Sequence, residues 1–417
     1  MSKRIVVVGG GIIGLCTAYY GAKQGLQITV IDRQPEQRDG CSFGNAGMIV
    51  PSHFVPLAAP GMVALGLKWM WNPESPFYIK PRWDWELLKW GFQFWRASTK
   101  ARVERAAPIL RDLSLASRGC FEELSTELPM DFGLTQHGLL MLCKTQAGLD
   151  EEAKYADHAN RLGVPASVLD AAATAAKDPD VSMSVAGSVY FPKDCHLSPS
   201  SLMLALKSQC ISMGVEFHWQ TEVLEINRNQ GRIQKVQTTS GDFEADEFVL
   251  CGGSWSPLLA KQVALNLPMQ AGKGYSVTLN KPRQLPKLCA IFTEARVAVT
   301  PMGESLRFGG TMEISGLSET VNLRRVQGII RSVPNYYPEF QMDDFANMKP
   351  WHGLRPCSPD GMPYIGRTKR FKNLTIATGH AMMGLSLGPI TGKMVIGILT
   401  DQAPAIPSEL LSPDRYM

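Results

Sequence analysis

Residues 5–32, IVVVGGGIIGLCTAYYGAKQGLQITVID, constrain the fold more than any other part of the chain. Ile5, Val6, Val7 and Val8 form an unbroken run of apolar β-formers, the pattern of a strand buried on both faces. Gly9, Gly11 and Gly14 follow in G-x-G-x-x-G spacing. Gly9 allows the tight turn, Gly11 leaves room for a pyrophosphate, and Gly14 lets the next helix pack close to the strand. Ala18, Tyr19 and Ala22 continue an apolar helical face to Gly25, where the helix can stop. A second strand then ends in Asp32, where an acid can accept hydrogen bonds from a ribose 2′-hydroxyl. Glycine-rich turns occur in many loops, but strand, glycines, helix, strand and acid in register point to an adenine dinucleotide. The structural alternative is a βαβ unit whose glycines serve only helix–sheet packing.

Several function classes are disfavoured. A chain of 417 residues implies two domains. With 42 basic and 38 acidic residues it shows no basic run interleaved with aromatics, so nucleic-acid binding is not expected. Nine cysteines without a C-x-x-C pair read as reduced thiols of a cytosolic protein, and seven scattered histidines give no metal-ligand spacing. Lys3 and Arg4 before an apolar run superficially mimic a secretion signal, but three glycines interrupt the run and no small-residue cleavage site follows. No apolar stretch approaches the ~20 residues of a membrane span.

After Asp32 a polar linker leads into CSFGNAGMIVPSHFVPLAAPG. Its small residues let the backbone lie against a flat ligand while Ser42 and Asn45 supply short polar contacts; an ordinary irregular loop is the alternative. His53 in this stretch reads as either a structural or a pocket residue. Residues 62–95 carry Trp69, Trp71, Trp83, Trp85, Trp90 and Trp95, with Pro73, Pro76 and Pro81 breaking any helix into short pieces. Core and lid helices are the favoured reading, because Trp is usually buried. The rival is an amphipathic surface in a membrane interface, near a lipid-soluble electron acceptor.

Helices are expected over 100–128, 149–162 and 323–333, and from Pro199 to Met213 with Ser198 as N-cap. Strands are expected over 138–143, 188–191, 215–226, 233–239 and 243–251, the last leading into Gly252-Gly253. Residues 269–314 are strand-rich with short turns, an antiparallel sheet of their own. NLTIATGHAMMGLSLGPITGKMVIGIL then reads as a strand, a glycine-rich turn and a helix whose N-terminus can face an electron-rich ligand edge.

Taken together, VVGGGIIGLCTAYY with Asp32, SFGNAGMIVP followed by LAAPG, KGYSVTL, HGLRPCSPDGMPYIG and ATGHAMMGLSLGPITGK resemble the flavin-dependent amine oxidoreductases of the D-amino acid oxidase and glycine oxidase type, most of all bacterial D-amino acid dehydrogenases. The resemblance spans nearly the whole chain. It implies an α/β fold: a discontinuous Rossmann-like FAD-binding domain (1–61, 195–262 and 345–417) with an inserted α+β substrate domain built on a largely antiparallel sheet (62–194 and 263–344). It also implies that Gly9, Gly11 and Gly14, with Ile12 and Ile13, approach the pyrophosphate, and Asp32, with Arg33 beside it, the adenosine ribose. Ser42, Asn45, Ala46 and Gly47 resemble the loop beside the flavin, and Val223 the position whose backbone meets adenine. Gly252 to Trp255 would be the strand-end turn beside the cofactor, and Gly384, Leu385 and Ser386 the turn near the flavin pyrimidine.

Arg355, in GLRP, resembles the arginine that clamps the substrate carboxylate, a task suited to a planar bidentate donor. Tyr275 either offers its hydroxyl to the same carboxylate or packs in the core. Glycine oxidases can carry another arginine in the closing turn, where this chain has Met382 and Met383. Sarcosine oxidases attach flavin through a cysteine; Cys357 lies nearby, but its spacing to the following Asp differs, so non-covalent FAD is expected.

The chemistry implied is transfer of the α-hydrogen of an amino acid to flavin as hydride, leaving an imino acid that water hydrolyses to a 2-oxo acid and ammonia. A quinone or another carrier, or oxygen in an oxidase, would then reoxidise the flavin. Rival readings are oxidation of a secondary amine such as D-proline, hydroxyproline or sarcosine, and a non-catalytic FAD-binding protein. The expected location is the cytosol, with peripheral contact at the inner face of the cytoplasmic membrane as the variant.

Overall fold

The computed structural model describes residues 2–70, 72, 74–404, 406–407 and 409–417, so Trp71 and Pro73 of the aromatic stretch lie outside the described residues. Arg4–Val8 sits inside a six-stranded sheet ordered Tyr364–Arg367, Leu374–Thr378, Glu247–Leu250, Arg4–Val8, Gln27–Ile31, Glu216–His218. Neighbours run parallel, with Val6 opposite both Thr29 and Phe248, except for the antiparallel edge Tyr364–Arg367.

Strand side chains alternate between faces, so an unbroken apolar run must be covered twice. Ile5 and Val7 pack with Leu15 and Ala18 of helix Ile12–Lys23, Leu202 and Leu206 of Pro199–Ser212, and Val395 and Ile396 of Gly388–Leu399. Val6 and Val8 pack the other way, against Ile226, Ile233 and Val236 of a three-stranded antiparallel meander.

The expected strand 215–226 is two strands. Glu216–His218 pairs with Gln27–Ile31, whereas Val223–Asn229 opens the meander. Between them Gln220 takes φ +53° and Thr221 N–H donates to Asp32 O at 2.9 Å. The apolar spacing carries across this corner, so periodicity alone merges the two.

The larger sheet has nine strands. Expected as largely antiparallel, it is mixed: Cys289–Phe292 with Leu139–Cys143, and Ser305–Ile314 with Phe77–Ile79, are parallel pairs. Its edge is Trp351–Cys357, antiparallel to Gln270–Leu279 with Arg355 opposite Gly272. The GLRP segment, grouped above with the cofactor domain, is therefore a strand of the larger sheet. Ser254 Oγ–H donates to Leu354 O at 2.9 Å and ties this edge to the smaller sheet's end.

The aromatic stretch divides. Trp90 is buried and its Nε1–H donates to Cys357 O at 2.9 Å, as a core residue should. Trp83, Trp85 and Trp95 are exposed, which corrects the core reading for them. Asp84 N-caps helix Trp85–Ala97, and the helix turns Leu87, Trp90 and Ala97 inward while Trp85, Leu88, Phe92 and Trp95 face out. Among the described residues no helix is long and apolar enough to cross a membrane.

Candidate active site

A cleft of about 540 Å³ opens where the strand ends of the smaller sheet meet the edge of the larger one. At one end, Gly9 N–H donates to Ile31 O at 2.8 Å. Gly9 has φ +110°, and a Cβ there would collide with Cys251 O; a Cβ on Gly14 would overlap Gly9 O. These two glycines permit the sharp turn and the close helix. Gly11 differs, since a Cβ would meet nothing nearer than Ser42 Oγ at 3.5 Å, so its backbone faces open cleft. No side chain of Gly11 caps the helix it starts, and the Ser42 hydroxyl accepts from Ile12 N–H at 3.0 Å. An anion fits this helix N-terminus.

The Asp32 carboxylate accepts from Gly10 N–H at 2.7 Å and from Gln34 N–H at 2.8 Å. A carboxylate has about four lone-pair sites, so acceptor capacity remains for a ribose hydroxyl. Arg38, which the sequence reading missed, stands 3.7 Å from Asp32, donates to Gly10 O and lies over the Trp219 ring at 4.4 Å. Arg33 lies over Trp255 at 4.1 Å. Val223, Gly252 and Trp255 line the cleft with them.

Arg355 lines the other end, with His352, His380, Gly384 and Leu385. Its Nη1–H donates to Thr311 O at 2.5 Å. Thr311 is β-branched yet has φ +68°, in a bulge where the pairing of Gln270–Leu279 with Ser305–Ile314 slips between Lys273 and Tyr275. Bulges re-aim backbone groups, and strain of this kind clusters at functional sites. Burial pushes the Arg355 pKa down, with Cys41 and Cys357 opposing, yet a guanidinium stays charged at neutral pH. No carboxylate pairs with it among the described residues. A cation so placed calls for an anionic ligand.

Other expected residues stand elsewhere. Ser42 and Asn45 line the cleft, but Ala46 and Gly47 do not; Gly47 O accepts from Leu197 N–H at 2.8 Å and locks the loop to its neighbour. The Ser386 hydroxyl accepts from Val50 N–H at 3.2 Å, a tie between segments rather than part of the lining. Tyr275 does not line the cleft: its hydroxyl donates to Glu313 at 2.9 Å. His53 is also displaced, facing a separate cavity of about 50 Å³ that shares His380 and Ala381 as a wall. Burial lowers the His53 pKa to about 4, and its Nδ1 is 3.0 Å from Ser52 Oγ. Ser52 in turn donates from both N–H and Oγ–H to the buried Asp194, whose pKa burial raises to about 7 against those bonds.

His380 is held neutral, its pKa lowered to about 3 by burial, with Nε2 3.0 Å from Thr391 Oγ1. Trp351 was also missed: its ring fills space left by Gly44 and Gly353, and its Nε1–H donates to Asp39 O at 2.5 Å. The only signal was its position before HGLRP. Cys357 is buried, its Sγ 3.9 Å from Met312 Sδ, and burial pushes the thiol up to about 12. Among the described residues no group of three or more His, Cys, Asp or Glu is placed to hold a metal ion.

The chain matches the family described as DAO, FAD dependent oxidoreductase, over residues 4–397. It is 32% identical to a D-amino acid dehydrogenase of Vibrio atlanticus, over 99% of this chain and 100% of the relative. A D-amino acid dehydrogenase of Bradyrhizobium diazoefficiens is 31% identical, over 99% of each. The crystal structure of glycine oxidase from Geobacillus kaustophilus superposes with a TM-score of 0.79 and 23% identity, over 100% of both chains, a likeness of fold. With glycine turn, helix N-terminus and acid arranged to receive a dinucleotide, this chain belongs to the FAD-dependent oxidoreductases of the DAO family.

Proposed function

We propose that the protein is an FAD-dependent D-amino acid dehydrogenase, converting D-amino acids to 2-oxo acids and ammonia and passing the electrons to a quinone or another carrier. The observation that carries this reading is Arg355: a guanidinium without an acid partner, held by a strained carbonyl, opening into the cofactor cleft. Relatives named D-amino acid dehydrogenase over their full length support it.

In this reading Gly9, Gly11, Ile12, Ile13 and Gly14 hold the pyrophosphate, and Asp32 takes the ribose. Arg33 and Trp255 cover the adenosine, with the Val223 backbone at adenine and Gly252 beside it. Ser42 and Asn45, together with Gly384 and Leu385, border the flavin. Bound FAD supplies the acceptor for the α-hydrogen. Arg355 fixes the carboxylate with two parallel N–H donors, which orients Cα. Leu354 and Leu385 give the cleft apolar lining there. With its pKa lowered to about 3, His380 is too weak a base to take a proton from an ammonium group, so the amine is delivered neutral by the medium rather than by this ring. Residues 1–61, 195–262 and 345–417 make the cofactor part and 62–194 and 263–344 the substrate part, with Trp351–Cys357 shared between them. The outward stripe Trp85, Leu88, Phe92 and Trp95, flanked by Lys89 and Arg96, is suited to peripheral contact with a membrane that carries a quinone.

Anaerobic mixing with D- and L-amino acids tests the function. Bleaching of the flavin bands by D-amino acids, with 2-oxo acid released, is expected. Bleaching by L-amino acids alone, or by none, overturns the reading.

A further inference from the structure

Behind the substrate end lies a buried charged cluster that the proposed reaction does not use. Glu313 receives the Tyr275 hydroxyl at 2.9 Å and stands 3.5 Å from Lys273 Nζ and 3.6 Å from Arg325 Nε. All four side chains are buried. Two cations thus share one carboxylate, an excess of charge in a place where ions are costly. Arg325 has other work: its Nη1–H donates to Ser75 O at 2.8 Å and its guanidinium lies over Tyr78 at 4.3 Å. Lys273 has different work. Its Nζ donates to Ser318 O at 3.1 Å and to Thr320 O at 2.7 Å, the carbonyls on either side of Glu319. Asn322 N–H donates to the Tyr275 hydroxyl at 3.2 Å and fixes the end of the same segment.

Residues 315–322 have no regular secondary structure and 317–320 are exposed, yet Glu319 lines the cleft. The segment's anchor, Lys273, stands between Gly272 and Gly274 with its side chain on the face opposite the Arg355 guanidinium, which lies against Gly274, so the segment reaches the cleft around the sheet's edge. Glu319 thus shares the lining of the cleft with Arg355, and no cation pairs with it among the described residues. Resting on the reading of Arg355 as the carboxylate clamp, we propose that Lys273 is a positioning residue that holds Glu319 at the substrate end, where it favours amino acids with a cationic side chain. The α-carboxylate goes to Arg355 and the distal positive charge to Glu319.

The experiment compares kcat/KM for D-lysine and D-alanine in the FAD-loaded native protein, Glu319→Gln and Lys273→Met. Lys273→Met leaves Glu313 with Arg325, one anion with one cation, so the cluster keeps its balance. Glu319→Gln lowers the lysine-to-alanine ratio about fivefold, the ceiling for a solvent-exposed ion pair. The change appears in KM, and D-alanine turnover stays within about twofold. Lys273→Met lowers the ratio to a similar extent and speeds amide exchange across 316–321, with FAD content unchanged. The double variant is no worse than Glu319→Gln. An unchanged ratio in either variant, or unchanged exchange in Lys273→Met, overturns the proposal. Failure of the underlying reading is distinct: Arg355→Ala would then oxidise D-alanine as readily as native protein.

Discussion

Gly274→Ala adds one methyl group, removes no polar atom, and yet should disable the enzyme. A Cβ at Gly274 would overlap the Arg355 guanidinium at Cζ and both Nη atoms. Gly274 has ordinary negative φ, so the backbone accepts alanine without strain. The side chain must yield, and it can do so only by leaving the Thr311 carbonyl. A misplacement of about 1 Å in a substrate-orienting group can cost ~100-fold in rate. We therefore expect kcat/KM for D-amino acids to fall by roughly two orders of magnitude in Gly274→Ala. Arg355→Ala should fall further, since breaking a buried ion pair costs about 3–5 kcal/mol. Arg355→Lys should recover only part, because a point charge cannot reproduce the planar fork. The decisive measurement is the double-mutant cycle under anaerobic single-turnover conditions, with flavin spectrum and melting temperature as controls. If Gly274 acts only through Arg355, Gly274→Ala costs little in the Arg355→Ala background. A full 100-fold loss there as well would show that the methyl group perturbs something else.

Asp32→Ala removes the acceptor of two backbone N–H groups and of the ribose; each charged acceptor bond contributes about 1.5–3 kcal/mol, so FAD affinity should fall at least tenfold by titration of apoprotein. Asp194 titrates near 7 in the fold but in the ordinary carboxylate range when unfolded. A raised pKa gives stability that is full at low pH and lost as pH rises through about 7. Urea unfolding at pH 5 and 8 should thus show the native protein losing up to about 3 kcal/mol relative to Asp194→Asn; parallel profiles would refute the assignment. Replacing Trp85, Phe92 and Trp95 with Ser should abolish any sedimentation with anionic vesicles while leaving flavin reduction unchanged, and vesicle binding that survives would discard the stripe as the contact surface.

Much of the cofactor end was legible because its requirements are local. The turn at Gly9 and the acid at Asp32 lie within one βαβ unit, where spacing translates directly into geometry. Gly11, Val223, Trp255 and Gly384 line one cleft. The substrate end depends on what no spacing encodes. Tyr275 and Arg355 both look like carboxylate ligands in sequence, but antiparallel register sets Arg355 opposite Gly272, and Tyr275 points into the core with Val277. The bulge at Thr311 shifts that relationship by a residue that hydropathy does not report. Arg38 and Trp351 were missed for a related reason: each acts by stacking or filling space against segments far away in the chain, Arg38 on Trp219 and Trp351 beneath Gly44.

The covering of the first helix has a consequence for how the protein is made. Ile12–Lys23 is wedged between Pro199–Ser212 and Gly388–Leu399, and Arg4–Val8 finds its second neighbour only at Glu247–Leu250. At about 5–20 residues per second on the ribosome, the glycine turn emerges roughly tens of seconds before the helix that roofs it. For that interval the βαβ unit presents apolar faces that its later neighbours have yet to seal. The dinucleotide cleft has no far wall until Leu374–Thr378 slots in beside Glu247–Leu250. A complete cleft for FAD therefore awaits a chain that is already almost fully synthesised.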